Sequence, residues 1–522
     1  MAVGTLLSRL TGLLRLLAIT AALGLGDLQD AFNIGYTVPS MFLALVTGGT
    51  LSAVLVPLLT RDADPEEHRR TAEALGGLVV LVTGAASLLL AAASPLLARL
   101  FTVNARDDPQ YDDVVRVATA FLALMAPQLL VWAASIFATA VLQAHGRLAL
   151  AGFSPVLTNV IAIASAVLYL ALVSDGGPLP DVEDVPTLGI WLIGLGSTLS
   201  VAAMTAVQLA GARRVVPGLR LRPRVMRGHP ANAELRRLGR WTVILVVANQ
   251  AGLFVVLALA KGVSGGVAAY QSAFIIMQLP FAIIGVSLFS AIFPRLARAA
   301  AADGPDAPRQ FGAALEQGLR LGTSLLLPCG VGLVVLADPV AAVLLDYGAA
   351  DGRTDLVAAA LRVFGVSLLP FALFNLLTRA HYATRDARTP ATVSLAQQAC
   401  AVVVGLVGYA VATSDSARVA ALTLGHPVGF ALGCALLAVS LRRSHSDAFA
   451  RAVPALLRAA VAAGAMAAVL VTVDAALPSP ATQVVLVVRT LGLVVGGAVV
   501  YLVALAALRS PELRELTGLR RG

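Results

Sequence analysis

One arginine in this sequence stands where arginine is costly. Arg15 lies within Leu13-Leu14-Arg15-Leu16-Leu17, inside an apolar run that opens just after Arg9. Near the middle of a bilayer-spanning helix an arginine costs about 2.5–3.5 kcal/mol on insertion scales, so it normally faces water, a partner or an anion. A guanidinium holds phosphate through paired hydrogen bonds, and a phosphate-bearing ligand is the chemistry that would justify it. The plainer reading is a side chain that stretches to the cytoplasmic surface, since Arg9 is less than two helical turns away.

Asp30 opens the second apolar run, in Asp30-Ala31-Phe32-Asn33. A carboxylate there caps or charges the first turn of its own helix, a local role compatible with a functional one. Pro39 and Pro280 interrupt two runs, and Gly48-Gly49 follows Pro39. Each proline removes a helix hydrogen bond and crowds the preceding turn, which gives either a static kink or a hinge for alternating access. Arg362, Arg379 and Arg489 are further charges in or near apolar runs, and Glu316 and Arg320 have the spacing of a helix-face ion pair. Asn249-Gln250 and Gln397-Gln398 fit interhelical glue better than cation ligands.

Other chemistries lack their residues. There is no phosphate-binding P-loop, no G-x-S-x-G and no H-E-x-x-H. Cys329, Cys400 and Cys434 are isolated within apolar runs, and the six histidines are scattered. Neither a disulfide framework nor a metal site is expected, and no enzyme or cofactor is indicated.

The elements that carry these residues are membrane helices. Hydrophobic residues make up 58% of the 522-residue chain and charged residues only 13%, with a mean hydropathy of +0.86. A soluble domain carries about a quarter charged residues. About fourteen runs reach the length of roughly 20 residues that a span needs. They cover 8–26, 31–60, 72–101, 114–143, 150–174, 187–211, 238–263, 266–293, 311–345, 356–383, 390–413, 418–441, 452–473 and 482–507. The net charge of +9 is distributed between the runs without interleaved aromatics, which argues against nucleic acid and for membrane orientation. Arginines crowd alternate loops: Arg61, Arg69 and Arg70; Arg213 to Arg240; Arg295 and Arg298; Arg385 and Arg388; Arg442, Arg443 and Arg451. The loops between them hold Asp27, Asp107, Asp108, Asp181, Glu183 and Asp184. This alternation places both termini in the cytoplasm.

The stretch from Pro57 to Arg61 is echoed from Pro294 to Arg298, and Pro155 is echoed by Pro390. The matching offsets suggest two six-helix lobes in parallel orientation with two helices appended. The expected organisation is an all-α polytopic fold: a first lobe over 1–211, an arginine-rich cytoplasmic linker over 212–237, a second lobe over 238–442, and two further helices with a basic tail over 443–522.

Four stretches resemble the MurJ (MviN) family of the multidrug/oligosaccharidyl-lipid/polysaccharide exporter superfamily. Ser8-Arg9-Leu10-Thr11-Gly12-Leu13-Leu14-Arg15, with Asp30-Ala31-Phe32 and Val38-Pro39, resembles its opening S-R-x-x-G-x-x-R…D-A-F…x-P. Phe153 to Asn159 is similar to A-P-x-L-x-N, and Gln278-Leu279-Pro280 continues to Pro294-Arg295-Leu296. The stretch from Tyr382 through Asp386 to Pro390 resembles Y-A-x-x-D-x-x-T-P. The resemblance implies a fourteen-helix fold of two lobes around a central cavity. It also implies transport of lipid II, the undecaprenyl-pyrophosphate-linked peptidoglycan precursor, by alternating access in the bacterial cytoplasmic membrane. Arg15 would then line a cationic cavity facing the pyrophosphate, with Arg9 and Asp30 in support.

The chain departs from the family at charged positions. Two arginines after the second span's proline are here Leu43-Ala44, the acidic residue beyond them is Gly48, and an Asp-Arg pair before the Pro280 motif is Phe274-Ile275. The pattern resembles a divergent, actinobacterial-type branch. It leaves Arg15, Lys261 and Arg362 as cations that could meet a phosphate. Two other readings stay open: export of another lipid-linked glycan or a small molecule on the same fold, and a non-transporting scaffold that recruits cell-wall synthesis proteins through its basic loops. With no nucleotide motif, the expected energy source is the membrane potential or a monovalent cation gradient, and the expected partners are the polyprenyl-pyrophosphate substrate and membrane lipids.

Overall fold

The computed structural model describes residues 2–47, 65–173, 180–219, 246–347, 354–480 and 482–516, and every extended element among them is helical. In hydrocarbon the backbone must satisfy its own hydrogen bonds, which a helix does within one segment. Eleven of the described helical stretches are long and apolar enough to cross a membrane, as the composition requires. The all-α polytopic fold class is therefore the observed one.

The described chain groups into two compact units, one of Met1–Ala268 with Tyr347–Asp351, the other of Ala269–Asp346 with Gly352–Gly522. The first contains α1 (Ala2–Leu23), α2 (Asp27–Thr47), α3 (Pro65–Ala92), α4 (Ser94–Phe101), α5 (Tyr111–Met125), α6 (Gln128–Ala144), α7 (Leu148–Val173), α8 (Thr187–Val215) and α9 (Val246–Ala260). Most of the expected linker at 212–237 lies outside the described residues. Helix α10 (Gly266–Pro280) begins in the first unit and ends in the second. The second continues with α11 (Val286–Ala301), α12 (Ala307–Val335), α13 (Ala337–Leu345), α14 (Asp355–Ala383), α15 (Arg388–Val411), α16 (Asp415–Ala476), α17 (Gln483–Ala507) and α18 (Pro511–Leu516).

Several expected spans divide or merge. The run over 72–101 is broken at Ala93, where Pro95 occupies the first turn of α4, a position that needs no amide donor. The run over 114–143 breaks at Ala126-Pro127 and that over 311–345 at Leu336. Conversely, the twelfth and thirteenth spans belong to one helix of 62 residues, α16. No glycine or proline lies between Cys434 and Val453, so no residue there favours a stop.

In the first unit, buried amides and hydroxyls link neighbouring helices. Gln208 Nε2 donates to Ser154 Oγ at 2.7 Å while Ser135 Oγ donates to Gln208 Oε1, joining α6, α7 and α8. In the second unit, α12 and α14 approach at Gly330 and Gly365. A Cβ on either would lie 2.6–2.7 Å from the other's carbonyl oxygen, so glycine permits this backbone contact. Val484, Val488, Leu491, Val495 and Val503 stand exposed along α17, as a lipid-facing surface requires.

Helix α18 closes the second unit through Glu512. Its carboxylate is fully buried and accepts from Arg320 Nε at 2.8 Å and Arg458 Nη2 at 3.1 Å, with Ser510 Oγ donating to it as well. Arg320 also meets Glu515 at 2.9 Å and Glu316 at 3.4 Å. The expected Glu316–Arg320 pair is thus one edge of a larger network. Burial pushes the Glu512 carboxyl up, but Ser510, its own backbone amide and Arg320 outweigh burial and hold it below its ordinary 4.5. A depressed folded value means stability that is present above the unfolded value and lost on acidification. Hydrogen exchange over 511–516 is expected to stay protected down to about pH 4.5 and to accelerate below it; acceleration already at pH 6 would contradict this anchoring.

Candidate functional site

Arg15 projects from α1 toward α2. Its Nη1 donates to the Tyr36 hydroxyl at 3.1 Å, and its guanidinium carbon lies 5.1 Å from the Tyr36 ring centroid. A cation over an aromatic face is stabilised by about 0.5–2 kcal/mol. The head group remains partly exposed and meets no carboxylate among the described residues. A guanidinium has five N–H donors, so Tyr36 orients Arg15 and leaves most of its donors for a ligand. Arg9 is exposed on the same helix, without a partner among the described residues.

Asn159 supports this helix from α7. Its Nδ2 donates to the Ser8 carbonyl at 3.0 Å and to Thr11 Oγ1 at 2.9 Å. The asparagine of the second motif therefore fixes α1 on either side of Arg9, at Ser8 and Thr11.

Asp30 lies in the first turn of α2, as expected, but its carboxylate reaches beyond that helix. It is fully buried, and it caps another helix: its carboxylate accepts the Gly265 amide at 3.1 Å and the Ala268 amide at 2.8 Å, at the start of α10. The amides at a helix start lack intrahelical acceptors and attract a carboxylate. Beside it Asp27 takes a hydrogen bond from Ser264 Oγ at 2.7 Å and pairs with Lys261. Lys261 Nζ lies 3.7 Å from Asp30, and both of those side chains are wholly removed from solvent. Gly265 has φ +75° and a Cβ there would strike the Leu25 carbonyl at 1.9 Å, so the turn accepts only glycine. Lys261 is therefore committed to two carboxylates and is not available for phosphate. Arg362 pairs with Asp338. The reading of Lys261 as a spare phosphate contact is corrected by its two buried carboxylates, whereas the Arg362–Asp338 pair is largely exposed.

Helix α2 runs through Pro39 as continuous α-helix, while Gly48 and Gly49 lie outside the described residues. Pro280 ends α10 and is followed by a π-helical turn, Phe281–Gly285, before α11 begins. Such a turn marks where a helix has absorbed an irregularity. In the fourth motif Asp386 Oδ1 accepts the Thr389 amide at 3.0 Å, and Oδ2 lies 3.1 Å from His381 Nδ1. Burial raises the Asp386 carboxyl, but Thr389 and His381 outweigh it and hold it below its ordinary value. Arg385 takes φ +61° in this turn, Pro390 is buried in the first turn of α15, and Tyr382 is half exposed. This motif builds a helix–turn–helix joint.

Phe274 packs 5.4 Å from the Phe364 ring and 5.6 Å from the His426 ring, in a cluster with Phe371 and Phe430. At the position where the resemblance implies a charged residue, Phe274 thus belongs to an aromatic cluster. Two features escaped the sequence. Tyr36 has no mark beyond lying on α2, and the Asp27–Lys261 pair is separated by most of the first unit. The one available signal was that the chain's only lysine ends an apolar run.

The family model described as "Lipid II flippase MurJ" matches residues 19–511. A lipid II flippase MurJ of Burkholderia cenocepacia is 28% identical over 84% of this chain and 82% of its own length. A probable lipid II flippase MurJ of Haemophilus influenzae is 28% identical over 80% of this chain and 83% of its own. Among solved structures, a lipid II flippase MurJ in an inward closed conformation aligns with a TM-score of 0.77 at 16% identity, covering 99% of both chains. An inward-facing multidrug resistance MATE transporter of the MOP superfamily aligns at 0.65 over 84% of this chain and 96% of its own.

Proposed function

The chain belongs to the lipid II flippase MurJ family, and we propose on that basis that it carries lipid II across the bacterial cytoplasmic membrane by alternating access. The family match over nearly the whole chain carries this reading. Arg15 is the residue of the first unit best suited to the pyrophosphate: it lies in an apolar helix, is oriented by Tyr36, and keeps donors free. Arg9 adds positive charge toward the helix start. Asp30 acts indirectly, by holding the start of α10. Pro39 and the π-turn after Pro280 are the positions where α2 and the α10–α11 segment would bend. Cell-wall synthesis proteins would supply the cargo and receive it at the basic cytoplasmic loops and outer surface respectively.

For energy, the membrane potential is the simplest source. It offers about 2.3 kcal/mol per charge per 100 mV, enough to bias an anionic cargo. Labelled lipid II reconstituted with the protein in liposomes is expected to move under an imposed potential and to slow at least several-fold when an ionophore collapses it. Equal rates with and without the ionophore would sink the coupling while leaving the flipping itself to be read from the same traces.

A further inference from the structure

The start of α2 and the turn before α10 enclose more negative charge than positive. Asp27, Asp30 and Lys261 are all buried, so two carboxylates share one ammonium. Lys261 hydrogen-bonds to Asp27 and stands 3.7 Å from Asp30. Asp30 relies instead on the Gly265 and Ala268 amides. A helix start offers the equivalent of about half a positive charge, less than a carboxylate carries. Asp108, on the turn before α5, is a further negative charge that acts on Lys261.

Other groups around the cluster do not supply the missing charge. Arg15 on α1 meets Tyr36, and α1 meets this end of α2 through Thr20, which accepts from Gln29. Helix α5 packs Phe121 against Phe32. Among the described residues the charged groups that act on Asp30 are Lys261 and Asp27.

An enclosed carboxylate without a full counter-charge favours its neutral form. Enclosing the neutral acid costs far less than enclosing the anion. Protonation of Asp30 therefore favours the closed turn, and ionisation at higher pH favours opening it to water. The closed turn is one tight fit: a Cβ on Gly265 would strike the Leu25 carbonyl, and one on Gly266 would lie 2.2 Å from the Ala260 carbonyl. It starts α10, through which the chain passes from the first unit to the second. Asp27 and Asp108 belong to the loops that alternate with the arginine-rich ones, which places the cluster on the outer side of the membrane.

We propose that Asp30 is a proton-operated switch: a proton taken up from the outer side locks the start of α2 to the start of α10, and its release loosens that turn. The carboxylate becomes a carboxylic acid, and Lys261 stays paired with Asp27. The switch does not depend on the cargo and adds a pH-dependent step to the cycle.

The test is hydrogen exchange of the 261–268 turn in the full-length protein in nanodiscs, corrected for the intrinsic pH dependence of exchange. In wild type the protection of the Gly265 and Ala268 amides is expected to fall at least about tenfold from about pH 6 to about pH 8, since one linked proton changes an equilibrium about tenfold per pH unit. Infrared difference spectra over the same range should show a carboxylic acid band in wild type that Asp30→Asn lacks. Asp30→Asn keeps an oxygen for the amides and should hold the low-pH protection at both pH values. Asp27→Asn leaves one carboxylate for one lysine; it should also flatten the profile, and it serves if Asp30→Asn does not fold. Equal protection at both pH values in wild type, or protection that rises with pH, would overturn the proposal. So would an unchanged profile in folded Asp30→Asn. Full protection restored at the higher pH by sodium chloride, but not by choline chloride, would assign the counter-charge to a metal cation and overturn the proton.

Discussion

Lys261→Met is expected to lower the folding stability of the protein by about 3–5 kcal/mol, the usual cost of stripping one partner from a buried ion pair. Lys261 is wholly enclosed and serves both Asp27 and Asp30. Methionine fills similar volume, so the loss reports charge rather than a cavity. Two carboxylates would be left beside each other in the interior. Asp30 retains the Gly265 and Ala268 amides, whereas Asp27 keeps only Ser264 among its partners here. Lys261→Met combined with Asp27→Asn is therefore expected to recover more than half of the loss. Thermal unfolding of the purified variants in one detergent checks both values. A single variant as stable as wild type would show that the cluster does not hold the turn before α10.

The second large effect is expected on transport. Arg15→Ala should reduce lipid II translocation by about 10- to 100-fold with little change in stability, because a charge-assisted contact contributes about 1.5–3 kcal/mol. Removing an arginine from an apolar helix relieves an insertion cost rather than imposing one, so α1 should persist. Arg15→Lys is expected to retain only part of the rate: a lysine keeps the charge but offers neither the planar fork nor stacking on Tyr36. Tyr36→Phe removes the hydroxyl that orients the guanidinium and should fall between the two. A large loss of melting temperature in Arg15→Ala would instead assign this residue to packing.

The membrane class was legible because hydropathy and loop charge are properties of long windows, and α7, α8, α14 and α15 lie close to their expected limits. Helix breaks were less legible. Leu336 ends α12 without a proline or glycine at the break, and α16 continues through a polar segment that reads as a loop. Among site residues, Arg15 was visible because a charge in an apolar run violates the local pattern. Asp30 was visible as a helix-start carboxylate, yet the helix it caps is α10, more than two hundred residues later. Periodicity carries no information about such pairings. The same holds for Lys261: its place at the end of an apolar run was readable, but its two carboxylates are a property of the folded unit.

The central claim is that this chain flips lipid II through a site that includes Arg15. The most direct measurement is translocation of labelled lipid II in proteoliposomes under an imposed potential, with wild type and Arg15→Ala reconstituted at matched density and orientation. Flipping by wild type, reduced at least tenfold in the variant, is the result this account predicts. Correctly inserted wild type that leaves lipid II in its original leaflet would contradict it.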